Sequence, residues 1–147
     1  MTVGEICTRS VVTAEPDETI AEAARRMRDR HVGALVVVDT QRRPVGMLTD
    51  RDIVVSAVAQ SPDKLDALLV GDVMSRDLVT ARDVEAVDDV LLRMRTTGIR
   101  RLPVMSADGQ LEGLLALDDI LGAMSTELGE VVGLVAREQK REREVRR

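Results

Sequence analysis

Two side chains that could hold a ligand stand three residues apart in the stretch GMLTDRDI, Gly46 to Ile53: the hydroxyl of Thr49 and the carboxylate of Asp52. The same spacing forms a helix capping box, in which each group accepts from the other's backbone N–H, so the pair supports either reading. The remaining reactive residues are few. One cysteine, Cys7, and one histidine, His31, cannot make a usual metal site, and nothing near Cys7 supplies the base that a catalytic thiol needs. G-x-S-x-G, P-loop and G-x-G-x-x-G patterns are absent, and no pair of carboxylates has an apolar setting that would tune one as an acid. The sequence therefore predicts no catalytic residue, no metal and no enzyme.

Composition narrows the ligand further. The chain has no Phe, Tyr or Trp, so any bound base must rest on aliphatic side chains. The net charge is −5, and the segment 137–147 carries six basic and three acidic residues, leaving a body near −8 that repels nucleic acid. The first residues lack a signal peptide's basic and apolar regions, and no apolar run is long enough to span a bilayer. The expectation is a soluble cytoplasmic protein that meets neither nucleic acid nor membrane.

The elements that must position Thr49 and Asp52 occur twice. At an offset of 67 residues and without a gap, Val3 to Val54 lies over Val70 to Leu121: VGEICTRSVVTA faces VGDVMSRDLVTA, and VGMLTDRDIV faces EGLLALDDIL. Each copy carries a short β-rich stretch, Val11–Thr13 or Leu78–Thr80. An amphipathic helix follows, with apolar positions Ile20, Ala23, Ala24 and Met27, or Val87, Val90, Leu91 and Met94. Two strands come next, then a second helix from Asp50 or Leu117. Thr19 with Glu22 marks the first helix's start, and ADGQ at Ala107 to Gln110 marks a turn. The fold class is α+β, two β-α-β-β-α repeats whose small mixed sheets are flanked by helices. Units this small must pack together, related by a pseudo-twofold with paired clefts. We divide the chain into repeat 1 (1–60), a structured linker (61–69) with Ser61 capping a short helix at Pro62, repeat 2 (70–128) and a helical tail (129–147).

The duplication, the hxxAhxxM pattern in the first helix, GIRRLPV at Gly98 to Val104 and G-h-h-T-x-x-D-I at Gly46 to Ile53 together resemble a pair of cystathionine β-synthase (CBS) domains, or Bateman module. The resemblance implies an adenosine-containing ligand in a cleft between the copies and a partner that reads its occupancy. It gives Asp52 the ribose hydroxyls and Thr49 the phosphate, with Thr13 and Met47 beside them and Arg100 or Arg101 as a phosphate contact. A carboxylate can accept from both hydroxyls of a diol, a helix N-terminus favours phosphate, and planar guanidinium donors suit its oxygens. Copy two has Ala116 and Leu117 in place of Thr49 and Asp50, and copy one has Gly33 and Ala34 in place of the two arginines. A strong site on Asp52 and a weaker one on Thr80 and Asp119 are expected. Asp119 persists without the threonine, which capping alone leaves unexplained at this level. The ligand is AMP, ADP or ATP with no cofactor required. The alternative is an assembly module whose clefts are empty or hold S-adenosylmethionine, NAD or a cyclic dinucleotide.

Three further residues have plainer readings. His31 ends a helix, where its partial charge suits the dipole; Cys7 aligns with Met74 and marks an apolar position; Arg51 is a solvated first-turn residue. In the last segment Leu121, Met124, Leu128, Val131 and Val135 alternate spacings of three and four, a narrow seam for docking on the body or on a second copy. Gly122, Gly129 and Gly133 weaken a long helix there. A homodimer with an unidentified protein partner is the expected assembly.

Overall fold

The structure, a computed structural model, describes residues 1–146. Copy one contains β1 (Thr13–Ala14), α2 (Ile20–Arg30), β2 (Ala34–Val38), β3 (Pro44–Thr49) and α3 (Asp50–Asp52), preceded by α1 (Val3–Ile6). Copy two repeats the order with α4 (Val70–Val73), β4 (Ala81–Arg82), α5 (Val87–Thr97), β5 (Arg101–Met105), β6 (Leu111–Ala116) and α6 (Leu117–Val145). Each copy forms a three-stranded mixed sheet in which the first strand runs parallel and the third antiparallel to the middle one. The expected α+β architecture is present. The first strands begin two or three residues later than the β-rich stretches suggested: Val12 still accepts from Val36 N–H at 3.3 Å and packs on the core of copy one, Val79 packs on the core of copy two, and Val11 turns to the seam between the sheets.

Local chemistry accounts for the helices. Thr19 Oγ1 accepts from Glu22 N–H at 3.2 Å and starts α2, whose Ile20, Ala23 and Met27 are buried against the sheet. Both α2 and α5 end on a left-handed residue, His31 at φ 55° and Gly98 at φ 70°, with the following N–H closing back onto Met27 O or Met94 O. His31 occupies a conformation that glycine takes in the other copy. In each copy an arginine from the helix ties its start to the strand before it: Arg26 to Glu18 and Thr13 O, and Arg93 to Glu85 (2.6 Å) and Thr80 O.

The sequence repeat and the packed unit do not coincide. Val3 of α1 is buried among Val87, Val90, Leu102 and Leu115 of copy two, while Val70 and Met74 of α4 lie in the core of copy one. Thr8 pairs with Leu114 and Ser75 with Met47, and these two bridges are each other's equivalents at the 67-residue offset. A contact that recurs with its partners exchanged is the mark of a twofold, so the copies clasp each other by reciprocal N-terminal segments. A third cluster, Val36, Val38 and Leu111 with Val11, Met47 and Leu114, closes the seam between the sheets. A boundary at 60 and 70 therefore describes the duplication but not the cores.

Two further expectations are corrected. The linker holds only a single 3-10 turn at Pro62–Lys64, and the Ser61 side chain makes no cap because its backbone is not in a capping conformation. Past α3 the chain continues as a π-helical segment, Ile53–Val58, whereas α6 runs unbroken through all three glycines and past position 128. Arg147, the last residue of the expected tail, lies outside the described residues.

Candidate functional site

The reciprocal clasp creates a cleft. Its walls are Met47 and Thr49 from β3, Ser75, Asp77, Leu78 and Val79 on the segment entering from copy two, and Ile99, Arg100 and Arg101 at the start of β5, around a volume of about 240 Å³. Ser75 is held there by two backbone bonds to Met47, 2.9 and 3.0 Å. Met47, Leu78, Val79 and Ile99 supply an aliphatic surface on which a flat ring can rest, as the lack of aromatic residues requires. At the polar end, the Arg100 and Arg101 side chains are exposed and have no ion-pair partner among the described residues.

Thr49 and Asp52 make the full capping box. Thr49 N–H donates to Asp52 Oδ2 at 2.9 Å, and Asp52 N–H donates to Thr49 Oγ1 at 3.2 Å. That does not exhaust either group. Thr49 keeps its O–H to donate, and Asp52 Oδ1 has no protein donor among the described residues. In copy two each oxygen of the matching carboxylate has a protein donor, one of them at long range. Asp119 Oδ2 accepts from Ala116 N–H at 2.9 Å, and Oδ1 accepts from the Thr8 hydroxyl at 3.4 Å. Half of the capping box thus survives without the threonine hydroxyl, so capping by itself explains why Asp119 is retained.

The cleft gathers Met47, Thr49, Arg100 and Arg101, with Asp52 attached through Thr49. It does not gather Thr13. That residue lies in a separate depression beside Glu18, Arg26 and Asp39. Thr80, assigned by the sequence to the second cleft, directly follows the cleft-lining Val79. The exchange has a physical cause: the segment before β4 crosses to copy one, so the threonine beside the Thr49 cleft comes from the other repeat. Sequence reasoning missed Ser75, Asp77, Leu78, Val79 and Ile99 for the same reason, since only the crossing brings them to Thr49. Asp77 adds a carboxylate to one wall, which disfavours negative charge on that side. The equivalent second region has Ser10, Gly33, Ala34 and Ala116 where the first has Asp77, Arg100, Arg101 and Thr49. Near it Arg9 pairs with Glu112 at 3.0 Å, and burial pushes the Cys7 thiol upward against the opposing pull of Arg9. A raised thiol is less reactive.

The CBS domain model matches residues 3–58 and again 70–126. This chain belongs to the CBS-domain family. Among curated relatives, the uncharacterized protein MK0525 of Methanopyrus kandleri is 36% identical over 121 residues, 82% of this chain and 61% of that protein. The chain therefore spans less than two thirds of that relative. The CBS domain-containing protein YhcV of Bacillus subtilis is 39% identical over 126 residues, 85% of this chain and 87% of that one. Two crystal structures share the architecture of this CBS pair. The CBS domain pair of protein MJ0100 in complex with 5'-methylthioadenosine and S-adenosyl-L-methionine has a TM-score of 0.75 and 27% identity, covering 86% of this chain and 98% of that chain. CBSX2 in complex with AMP has a TM-score of 0.75 and 26% identity, covering 85% and 97%. No described helix is long and apolar enough to cross a membrane.

Proposed function

We propose that this CBS pair binds an adenine nucleotide, AMP, ADP or ATP, in the Thr49–Arg101 cleft and acts without chemistry as a cytoplasmic, homodimeric sensor or regulatory module for a protein partner. The observation that carries the reading is the unequal state of two equivalent carboxylates: Asp52 Oδ1 has no protein donor among the described residues and stands beside an open cleft with two unpaired arginines, whereas Asp119 Oδ1 faces the Thr8 hydroxyl. The base lies between Met47, Leu78, Val79 and Ile99, the ribose hydroxyls donate to Asp52, and the phosphate meets Arg100 or Arg101 and the Thr49 hydroxyl. One nucleotide binds per chain.

Occupancy has a short route outward. Arg100 contributes its side chain to the cleft, and its carbonyl accepts from Leu117 N–H, the first residue of α6, at 2.9 Å. A phosphate that draws Arg100 inward shifts the start of α6, and a partner that binds one arrangement better reads the change. The complex of MJ0100 with sulfur-containing adenosyl ligands supports a second reading, in which the phosphate end is left unused. Titrating adenosine, AMP, ATP, S-adenosylmethionine and NAD against the wild type and Arg100→Ala/Arg101→Ala separates them. The nucleotide reading expects AMP to bind at least tenfold more tightly than adenosine, and this advantage to vanish in the double variant. Equal affinity for adenosine and AMP, or preference for S-adenosylmethionine, overturns it.

A further inference from the structure

Helix α6 spans 29 residues, about 44 Å at 1.5 Å per residue, yet only Ile120 of it is buried. Leu121, Met124, Leu128, Val131, Val132, Leu134 and Val135 all point into solvent, Leu128 with 65% of its surface exposed. Three glycines at about 1 kcal/mol each leave such a helix without the means to hold itself in water. At its start the stripe is continuous with an apolar groove formed by Leu91, Leu92, Met94, Ile99 and Leu117.

The charges select the occupant and its direction. Residues 117–130 carry Asp118, Asp119, Glu127 and Glu130 and no basic residue, while residues 131–146 carry five basic and three acidic ones. The helix is therefore acidic at its N-terminal half and basic at its C-terminal half, on either side of an apolar seam centred near Leu128. Two such helices side by side in the same direction oppose like charge to like. Reversed, with Leu121 facing Val131, Met124 facing Leu128 and Leu117 facing Val135 of the other chain, the two basic ends lie far apart and each runs past Leu117 of its partner toward that chain's acidic body. The macrodipoles oppose in the same favourable sense.

We propose that a second copy of this chain covers α6, the two helices packing antiparallel from Leu117 to Val135, with each basic end reaching the acidic body of its partner. This inference rests on the homodimer reading above and adds the face and the direction. The test uses the full chain in a Cys7→Ser background. Light scattering on the wild type is expected to give twice the chain mass, and Leu128→Glu, an exposed site that leaves the body folded by circular dichroism, is expected to weaken dimerisation at least 100-fold. Under oxidation, Leu121→Cys chains mixed with Val131→Cys chains form a disulfide-linked dimer, and Leu121→Cys alone does not. A monomeric wild type overturns both the dimer and this inference. A dimer insensitive to Leu128→Glu, or one cross-linked by Leu121→Cys alone, overturns only the inference.

Discussion

Replacing Asp52 and Asp119 in turn by alanine separates capping from ligand binding. Each carboxylate accepts a backbone N–H at 2.9 Å, from Thr49 or from Ala116, so each loss removes one cap and costs about 1 kcal/mol without ligand. For a chain of about 150 residues that lowers the melting temperature by about 2–4 °C in both variants. The ligand response then divides them. Nucleotide at 100 times the wild-type dissociation constant stabilises by about 2.7 kcal/mol, or about 8 °C. Losing the diol's charged acceptor costs about 2 kcal/mol in binding, roughly a 30-fold weaker complex. At the same nucleotide concentration the stabilisation falls to about 0.9 kcal/mol, about 3 °C. Asp119→Ala keeps the full 8 °C shift, and Asp52→Asn, whose amide oxygen still accepts from Thr49, keeps the apo melting temperature while losing most of the shift. The assay is a thermal melt followed by circular dichroism or an external dye, because the chain lacks intrinsic aromatic fluorescence. An undiminished shift in Asp52→Ala, or equal losses in both alanine variants, would refute the reasoning.

The two clamps that open α2 and α5 predict an acid limit. The Arg93 hydrogen bond holds the Glu85 carboxyl below its usual range; for Glu18 burial pushes upward, but the Arg26 hydrogen bond, the Glu15 N–H and the Arg26 charge together lower it. Both folded values lie below the unfolded one of about 4.3, so their stabilisation is present above that value and is lost as pH falls through the folded values; urea midpoints between pH 7 and pH 3 should fall less in Glu18→Gln/Glu85→Gln. Gly46→Ala would put a methyl 2.7 Å from Met74 Sδ and 2.8 Å from the Ser75 carbonyl, where the copies clasp, and should cost about 1–3 kcal/mol in urea unfolding. Gly122→Ala meets open space within α6 and should instead stabilise by up to about 1 kcal/mol.

Much of the architecture was legible because it rests on local periodicity and on repetition. The spacing of Ile20, Ala23 and Met27, the Thr19 cap and the gapless offset each record a short-range constraint that any fold of this chain must satisfy. Thr49 and Asp52 were legible as a pair for the same reason: three residues at a helix start fix their geometry. Even the inequality of the copies could be read, since Arg100 and Arg101 face Gly33 and Ala34 in the alignment.

Which residues share a cleft was decided only in three dimensions. The alignment treats each repeat as a closed unit, and so it grouped Thr13 with Thr49 and Thr80 with Asp119. Burial of Val3 in one core and Val70 in the other makes the N-terminal segments cross, a choice governed by contacts far apart in sequence, and that crossing brings Ser75 to Val79 against Thr49. The free oxygen of Asp52 and the satisfied one of Asp119 differ by a single distant hydroxyl, that of Thr8. Sequence determined the parts and their duplication because these depend on neighbours along the chain; tertiary structure decided the site because its walls come from both copies.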